Sequence, residues 1–130
     1  MRLTKFTDNS LRVLIYVALA PDRRVNITEL AKECGVPRNH LAKVIHAMAI
    51  GGLLDTKRGK GGGVMLSRPA NEIIVGDVVR LMESDLPLID CNNPPCPLLP
   101  RCKLRGILGE AQQALYGVLD DCTVEDLLDK

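Results

Sequence analysis

Between Asp8 and Ala20 the apolar residues Leu11, Leu14, Ile15, Ala18 and Leu19 recur at steps of three and four, the spacing of one buried helical face. Pro21 and Asp22 end that helix. Asn26 stands three residues ahead of Glu29, a capping-box arrangement that predicts a short second helix over ITELAKEC. Gly35 closes it, where a residue with positive φ is wanted. Pro37 is suited to the first position of a third helix, because the N–H it lacks is not needed there. That helix, RNHLAKVIHAMAIGG, is expected to bury Leu41, Val44, Ile45 and Met48, with Ala49 at the margin.

Two short helices around a tight turn containing glycine make a helix-turn-helix. The run LLDTKRGKGGGVMLSR then reads as a β-hairpin, two apolar arms around a turn of glycines and cations. A helix-turn-helix followed by a basic hairpin is a winged helix. Ile74 to Glu83 supplies another helix, carrying Val75, Val78, Val79 and Met82. From Lys103 to Leu119 a long helix follows, on which Leu104, Leu108, Ala111, Leu115 and Val118 form a heptad-like stripe suited to a partner helix. Thr123 and Asp126 are spaced as a second capping box, starting a last turn of helix over VEDLLD. The expected fold is mainly α with one small β-hairpin: a winged helix-turn-helix plus a long C-terminal dimerisation helix. Its divisions are a DNA-binding lobe over 1–83, a loop over 84–102, and the dimerisation helix and C-terminal turn over 103–130.

With 130 residues, 46% of them hydrophobic, the chain is long enough to bury a core. A charged fraction of 25% is that of an ordinary globular domain. No apolar stretch approaches the roughly 18–20 residues of a membrane span. The polar start MRLTKFTDNSLR is unlike a secretory signal, so the expected location is the cytoplasm, with no membrane partner. Net charge is only +1, but its distribution is uneven. Arg38, Lys43, Lys57, Arg58, Lys60 and Arg68 face a single acid, Asp55, while Glu110, Asp120, Asp121, Glu125, Asp126 and Asp129 crowd the C-terminal end. A basic first half suggests a lobe that faces a polyanion.

Arg38, Asn39, His40 and Lys43 occupy the first turns of the third helix, on the side its apolar stripe leaves free. Arg pairs with guanine, Asn with adenine, and Lys with phosphate. Lys57, Arg58 and Lys60 sit among small glycines in the hairpin turn, which lets cations approach a sugar-phosphate backbone. Either set alone is ordinary solvated surface; together they point to double-stranded DNA, with Arg2 and Lys5 counted among the contacting cations. The glycine run is RGKGGG inside a hairpin, not the GxxxxGK[ST] that opens a helix at a nucleotide phosphate. No nucleophile with a recognisable base, HExxH or nucleophile elbow supports catalysis, so an enzyme is not expected.

The remaining chemistry lies in DCNNPPCPLLPRC, where Cys91, Cys96 and Cys102 follow a C-x4-C-x5-C spacing on a stretch stiffened by Pro94, Pro95, Pro97 and Pro100. Three thiolates on one short loop suit an iron–sulfur cluster, a zinc ion or a thiol switch. Five cysteines, an odd number, in a reducing compartment favour these over disulfides. Zinc wants a fourth Cys or His nearby, yet His40 and His46 both lie on the third helix. His40 is read as a DNA contact and His46 as a half-buried helix residue. Cys34 and Cys122 are read as helix-end thiols.

Over essentially its whole length the chain resembles the iron–sulfur winged-helix repressors that include IscR, the iron-responsive RirA and the nitric-oxide sensor NsrR, with the greatest likeness to the NsrR type. MRLTKFTDNSLRVLIYVAL, RNHLAKVIHAM, RGKGGGVML, IIVGDVVRLME, the cysteine loop, CKLRGIL and TVEDLL carry the resemblance. It implies a homodimer that crosses its long C-terminal helices and binds a palindromic operator. It also implies a [4Fe–4S] or [2Fe–2S] cluster held by Cys91, Cys96 and Cys102, with nitric oxide as signal. IscR-type members complete the ligation with a histidine three residues after the last cysteine; Arg105 stands there in this chain. NsrR-type members take an aspartate from the first helix of the partner subunit, and Asp8 matches that position. Asp8 read as a helix N-cap is the alternative, and one carboxylate cannot fully serve both roles. Rival readings are iron or cluster-supply sensing on the same fold, a cluster-free thiol switch and, in a different class, a small electron carrier.

Overall fold

The computed structural model describes residues 1–84 and 87–129. In chain order it places α1 over Lys5–Ala18, α2 over Ile27–Cys34, α3 over Arg38–Ile50, β1 over Leu54–Lys57, β2 over Gly63–Leu66, α4 over Val75–Glu83 and α5 over Leu104–Asp120. Short 3-10 turns cover Ala70–Glu72, Leu99–Arg101 and Glu125–Leu127.

Helices α1 to α4 close on one core. Val13, Leu14 and Val17 of α1, Leu30 of α2, Leu41, Val44 and Met48 of α3, Val64 of β2 and Val78 of α4 are all sealed from water. Each such side chain contributes about 1.5–3 kcal/mol by leaving water. The buried face of α1 is centred on Val13, Leu14, Val17 and Ala18, so Leu19, expected on it, is exposed. Asn26 caps α2 by accepting from the Glu29 N–H at 2.8 Å. Glu29 does not complete the box. Its carboxylate accepts instead from the Tyr16 hydroxyl at 2.5 Å and from Arg23 at 3.0 and 2.6 Å. Gly35 has φ +67, the left-handed conformation that lets the chain leave α2 and enter α3.

Two expected helix starts move, that of α3 by one residue and that of α1 by three. Pro37 caps α3 from outside, at φ −58 and ψ 143, and Arg38 is the first helical residue. Helix α1 begins at Lys5, so Asp8 lies inside the first turn and is not its cap. Thr4 is the cap, extended at φ −62 and ψ 158, with its hydroxyl accepting from the Thr7 N–H. The reason lies 79 residues away. The Glu83 carboxylate, at the end of α4, accepts from the Thr4 N–H at 3.1 and 3.2 Å, from the Thr4 hydroxyl at 2.6 Å and from the Thr7 hydroxyl. A negative group at the positive end of the helix favours this early start.

The hairpin pairs Leu54 with Leu66 through Lys57 with Gly63, antiparallel. Val25, in the α1–α2 connection, adds a bridge: its N–H donates to the Val64 carbonyl and its own carbonyl accepts the reverse bond, both at 2.9 Å. The wing is thereby tied to the helix-turn-helix. At the other end, Val75 N–H donates to Cys122 O at 2.8 Å and Val124 N–H to Ile73 O at 2.9 Å. These bonds draw Val124 into the core, where it is fully buried. The Thr123–Asp126 box forms, with the Thr123 N–H donating to Asp126 at 2.9 Å, and starts a 3-10 turn rather than an α-helix.

A smaller cluster of Val75, Val79 and Tyr116 joins α4 to α5. Arg80 reinforces it with two bonds of 2.7 Å to the Asp120 carboxylate and a guanidinium 4.4 Å from the centre of the Tyr116 ring. Gly76 leaves room for that carboxylate, since a Cβ there would overlap Asp120 Oδ1. Tyr116 is the one buried side chain of α5; Leu104, Ile107, Leu115 and Val118 are exposed.

Candidate nucleic-acid interface and cysteine loop

Packing of Leu41, Val44, Ile45 and Met48 into the core turns the opposite side of α3 outward. Arg38, Asn39, His40 and Lys43 are therefore all exposed. Arg38 is also held in place: its Nη1 donates to Thr28 Oγ1 of α2 at 2.6 Å. Lys5 joins this surface. With Phe6, Asn9, His40, Lys43 and Val44 it lines a shallow groove of about 200 Å³ between α1 and α3. His46 is exposed, not half-buried, because it faces away from the Leu41–Met48 stripe.

Lys57, Arg58 and Lys60 are exposed on the wing. Its turn is closed by the Gly62 N–H donating to Gly59 O at 2.9 Å. Gly63 has φ +134, and a Cβ there would lie 2.6 Å from the Val25 carbonyl oxygen. Glycine is thus required where the wing meets the body. Arg24 braces the same joint, donating to the Asp55 carbonyl at 3.1 Å and to its carboxylate. Cationic side chains on α3, on the wing and at the start of α1 thus share the lobe that Val25 and Arg24 hold together.

The cysteine loop carries all three of its thiols free. Cys91 and Cys96 are half-buried and Cys102 is exposed. Asp90 folds the loop's entry by accepting from the Asn92 and Asn93 N–H groups at 3.0 and 3.1 Å. The Cys96 N–H donates to Cys91 O at 2.9 Å, and the Leu104 N–H donates to Cys102 Sγ at 3.4 Å. Among the described residues no group of three or more His, Cys, Asp or Glu side chains is gathered to hold a metal ion. The donors match a thiophilic centre in type, being three unpaired thiols on one turn-rich loop. They are an incomplete set within one chain.

Asp8 is elsewhere, on α1, its side chain 35% exposed. Arg12 grips it at 2.9 and 3.2 Å, and Lys5 lies 3.8 Å away. The hydrogen bonds from Arg12, then its charge and that of Lys5, hold the Asp8 carboxyl below its ordinary value. Arg12 also donates to the Cys34 carbonyl at 3.3 Å, so Asp8 is linked to the end of α2. Burial pushes the Cys34 thiol up, the mark of an inert structural thiol. Arg12, Thr28 and Glu83 have roles here that the sequence reading does not assign. Only Arg12 carries a local signal, its i, i+4 spacing from Asp8. Burial works to raise the Glu83 carboxyl, but the hydrogen bonds from Thr4 and Thr7 outweigh it and hold it low.

Among the described residues no helix is long and apolar enough to cross a membrane. T. potens IscR superposes with a TM-score of 0.79 at 20% sequence identity, over 98% of this chain and 85% of that one. The oxidized form of Staphylococcus aureus CymR gives 0.79 at 23% identity over 100% of both chains. CymR (YrzC), the global cysteine regulator of B. subtilis, gives 0.76 at 21%, over 98% of this chain and 95% of that one. These likenesses establish the winged-helix fold. The Rrf2 family of iron-dependent transcriptional regulators, whose members bind DNA and are typically dimers, matches residues 3–130. With that match spanning all but the first two residues, the chain belongs to the Rrf2 family and is a transcription regulator, not an enzyme.

Proposed function

We propose that the chain is a homodimeric repressor whose two winged-helix heads bind a palindromic operator and whose cysteine loop holds an iron–sulfur cluster that senses nitric oxide. The observation that supports this most is a set of three free thiols on one loop with no fourth donor beside them among the described residues, together with a half-exposed carboxylate, Asp8, that is not used as a helix cap. Cys91, Cys96 and Cys102 would hold the cluster from one chain and the partner's Asp8 would complete it. When bound, the cluster supplies iron that reacts with nitric oxide. Asp8 is the ligand most easily given up, a hard carboxylate among soft thiolates. Once released it has a ready partner, since Arg12 Nε already lies 2.9 Å from its Oδ1. A ligand shared between chains fixes the distance between heads, and half-site spacing is a geometric requirement for a dimer on DNA. Residues 1–83 act as the reading head, 84–102 as the sensor and 103–130 as the dimer element, with Leu104, Leu108, Ala111, Leu115 and Val118 facing the other copy. The setting expected is cytoplasmic.

The test is anaerobic purification followed by absorption and Mössbauer spectra and by operator titrations with and without nitric oxide. The iron-loaded protein is expected to bind and the treated protein to release. Equal affinities for the two would remove the sensing mechanism, and unchanged spectra in Asp8→Ala would remove Asp8 from the ligand set. A second reading, a cluster-free thiol switch, is favoured by the same free thiols, of which Cys102 is exposed, and by a fold shared with a protein solved in an oxidized form. It requires iron-free protein whose operator affinity changes reversibly with dithiothreitol.

A further inference from the structure

We propose that Glu83 is a positioning residue for DNA binding. It fixes the N-terminal arm that carries Arg2 and Lys5, and it does so from the root of the cysteine loop. Four hydrogen bonds converge on its carboxylate, all from the first residues of the chain: two from the Thr4 N–H and one each from the Thr4 and Thr7 hydroxyls. Thr7 is fully buried, so its hydroxyl has no water to turn to. These bonds set where α1 begins and hence where Lys5, its first residue, projects beside His40 and Lys43. Glu83 is also the last residue of α4, after which Ser84, at φ +67, turns the chain away. A groove of about 480 Å³ brings the two ends together, with Met1, Arg2 and Thr4 on one side and Glu83, Leu88 and Tyr116 among the others lining it. The arm and the approach to Cys91 therefore share one cavity. A change in the loop that moves the end of α4 moves the arm with it.

This last step rests on the sensing role proposed above; the positioning role does not. Operator affinity is measured against salt for the parent, Glu83→Gln, Thr7→Val and Thr7→Ser, all at one cluster state, with circular dichroism to confirm the fold. An arm that is no longer ordered leaves one or two phosphates without a cation. The slope of log K against log salt is expected to fall in magnitude by about 0.9 for each such phosphate, in Glu83→Gln and Thr7→Val. Thr7→Ser, which keeps the hydroxyl, is expected to restore the parent slope. In a background of Arg2→Ala and Lys5→Ala, Glu83→Gln is expected to cost nothing further. Parent-like slopes in Glu83→Gln and Thr7→Val, or additive losses in the combined variant, overturn the positioning role. Should Thr7→Val fail to fold, Glu83→Gln alone decides.

The link to the loop is read from the ratio of affinities before and after nitric oxide. Glu83→Gln is expected to compress that ratio at least threefold, and an unchanged ratio overturns the link. A parent ratio of one sinks the sensing reading and the link together, while the salt slopes still judge the arm.

Discussion

Substitution of Gly63 by alanine tests whether the wing is fastened to the rest of the reading head. Gly63 has φ +134, and the added Cβ would meet the Val25 carbonyl oxygen at 2.6 Å, its carbon at 2.9 Å and the Asn26 nitrogen at 3.2 Å. All three are backbone atoms of another segment, so no side chain can swing aside. An L-residue held in such a conformation costs about 1–3 kcal/mol. Relief by separating the segments breaks the two reciprocal Val25–Val64 hydrogen bonds, each contributing about 0.5–1.5 kcal/mol. The expected loss is about 2–4 kcal/mol, read as a lowered midpoint in urea unfolding followed by circular dichroism. Gly61→Ala is the matched control. It too has positive φ, +73, but nothing lies within 4 Å of the added atom, so only the left-handed backbone cost of about 1–2 kcal/mol applies. Because the displaced wing carries Lys57, Arg58 and Lys60, the Gly63 variant is also expected to lose operator affinity at temperatures where it remains folded. Equal destabilisation by the two substitutions would show that the Val25 segment does not restrain the wing.

Three further outcomes concern stability and assembly, and a fourth concerns base reading. Glu29 is held at about 2 by the hydrogen bonds from Arg23 and then Tyr16, well below its ordinary value of 4.5. Its ion pair therefore adds stability that is complete above pH 4.5 and lost as pH falls towards 2; the difference in urea midpoint between the parent and Glu29→Gln should shrink across that window, and a pH-independent difference refutes it. Val124→Ala, in the sealed core, should cost about 2 kcal/mol of folding stability. Val118→Ala, 73% exposed, should leave folding stability unchanged yet weaken self-association in sedimentation experiments, and the reverse pattern would move the dimer face off α5. Asn39→Ala should cost about 1–3 kcal/mol on the preferred operator and little on scrambled DNA, whereas Lys60→Ala should weaken both and lower the salt slope by about 1; matching effects of the two on scrambled DNA would take base reading away from Asn39.

Features encoded within a few residues are legible from the chain alone. The Leu41–Val44–Ile45–Met48 stripe, the Asn26 cap, the left-handed Gly35 and the glycine-rich wing all depend on near neighbours, and all are present. What escapes such reading depends on partners far along the chain. The start of α1 is decided by Glu83, so reading from Asp8 places it three residues late. Val25 looks like a loop residue until Val64 pairs with it, and Val124 like a frayed end until Ile73 receives its N–H. Glu29, spaced to return to its own cap, is drawn off by Arg23 and Tyr16 because two stronger donors lie in reach. The candidate site divides the same way. Three cysteines in twelve residues announce themselves, whereas the fourth donor proposed from another copy would carry no local signature, and the Thr28 tether on Arg38 carries none.

Near its C-terminal end the long helix α5 is fastened to its own lobe. Tyr116 and Asp120 are clasped by Arg80, Val75 and Val79, while Leu104 and Ile107 touch water. At 1.5 Å per residue, the free end beside Cys102 stands about 24 Å from Asp120. A tilt of about 5° about that fulcrum carries it through roughly 2 Å. In a lone subunit the Cys102 end of that helix is turned to water, and on the dimer reading proposed above a second helix along the apolar side would steady it. On the cluster reading proposed above, metal loading and self-association are coupled, so dilution is expected to weaken both.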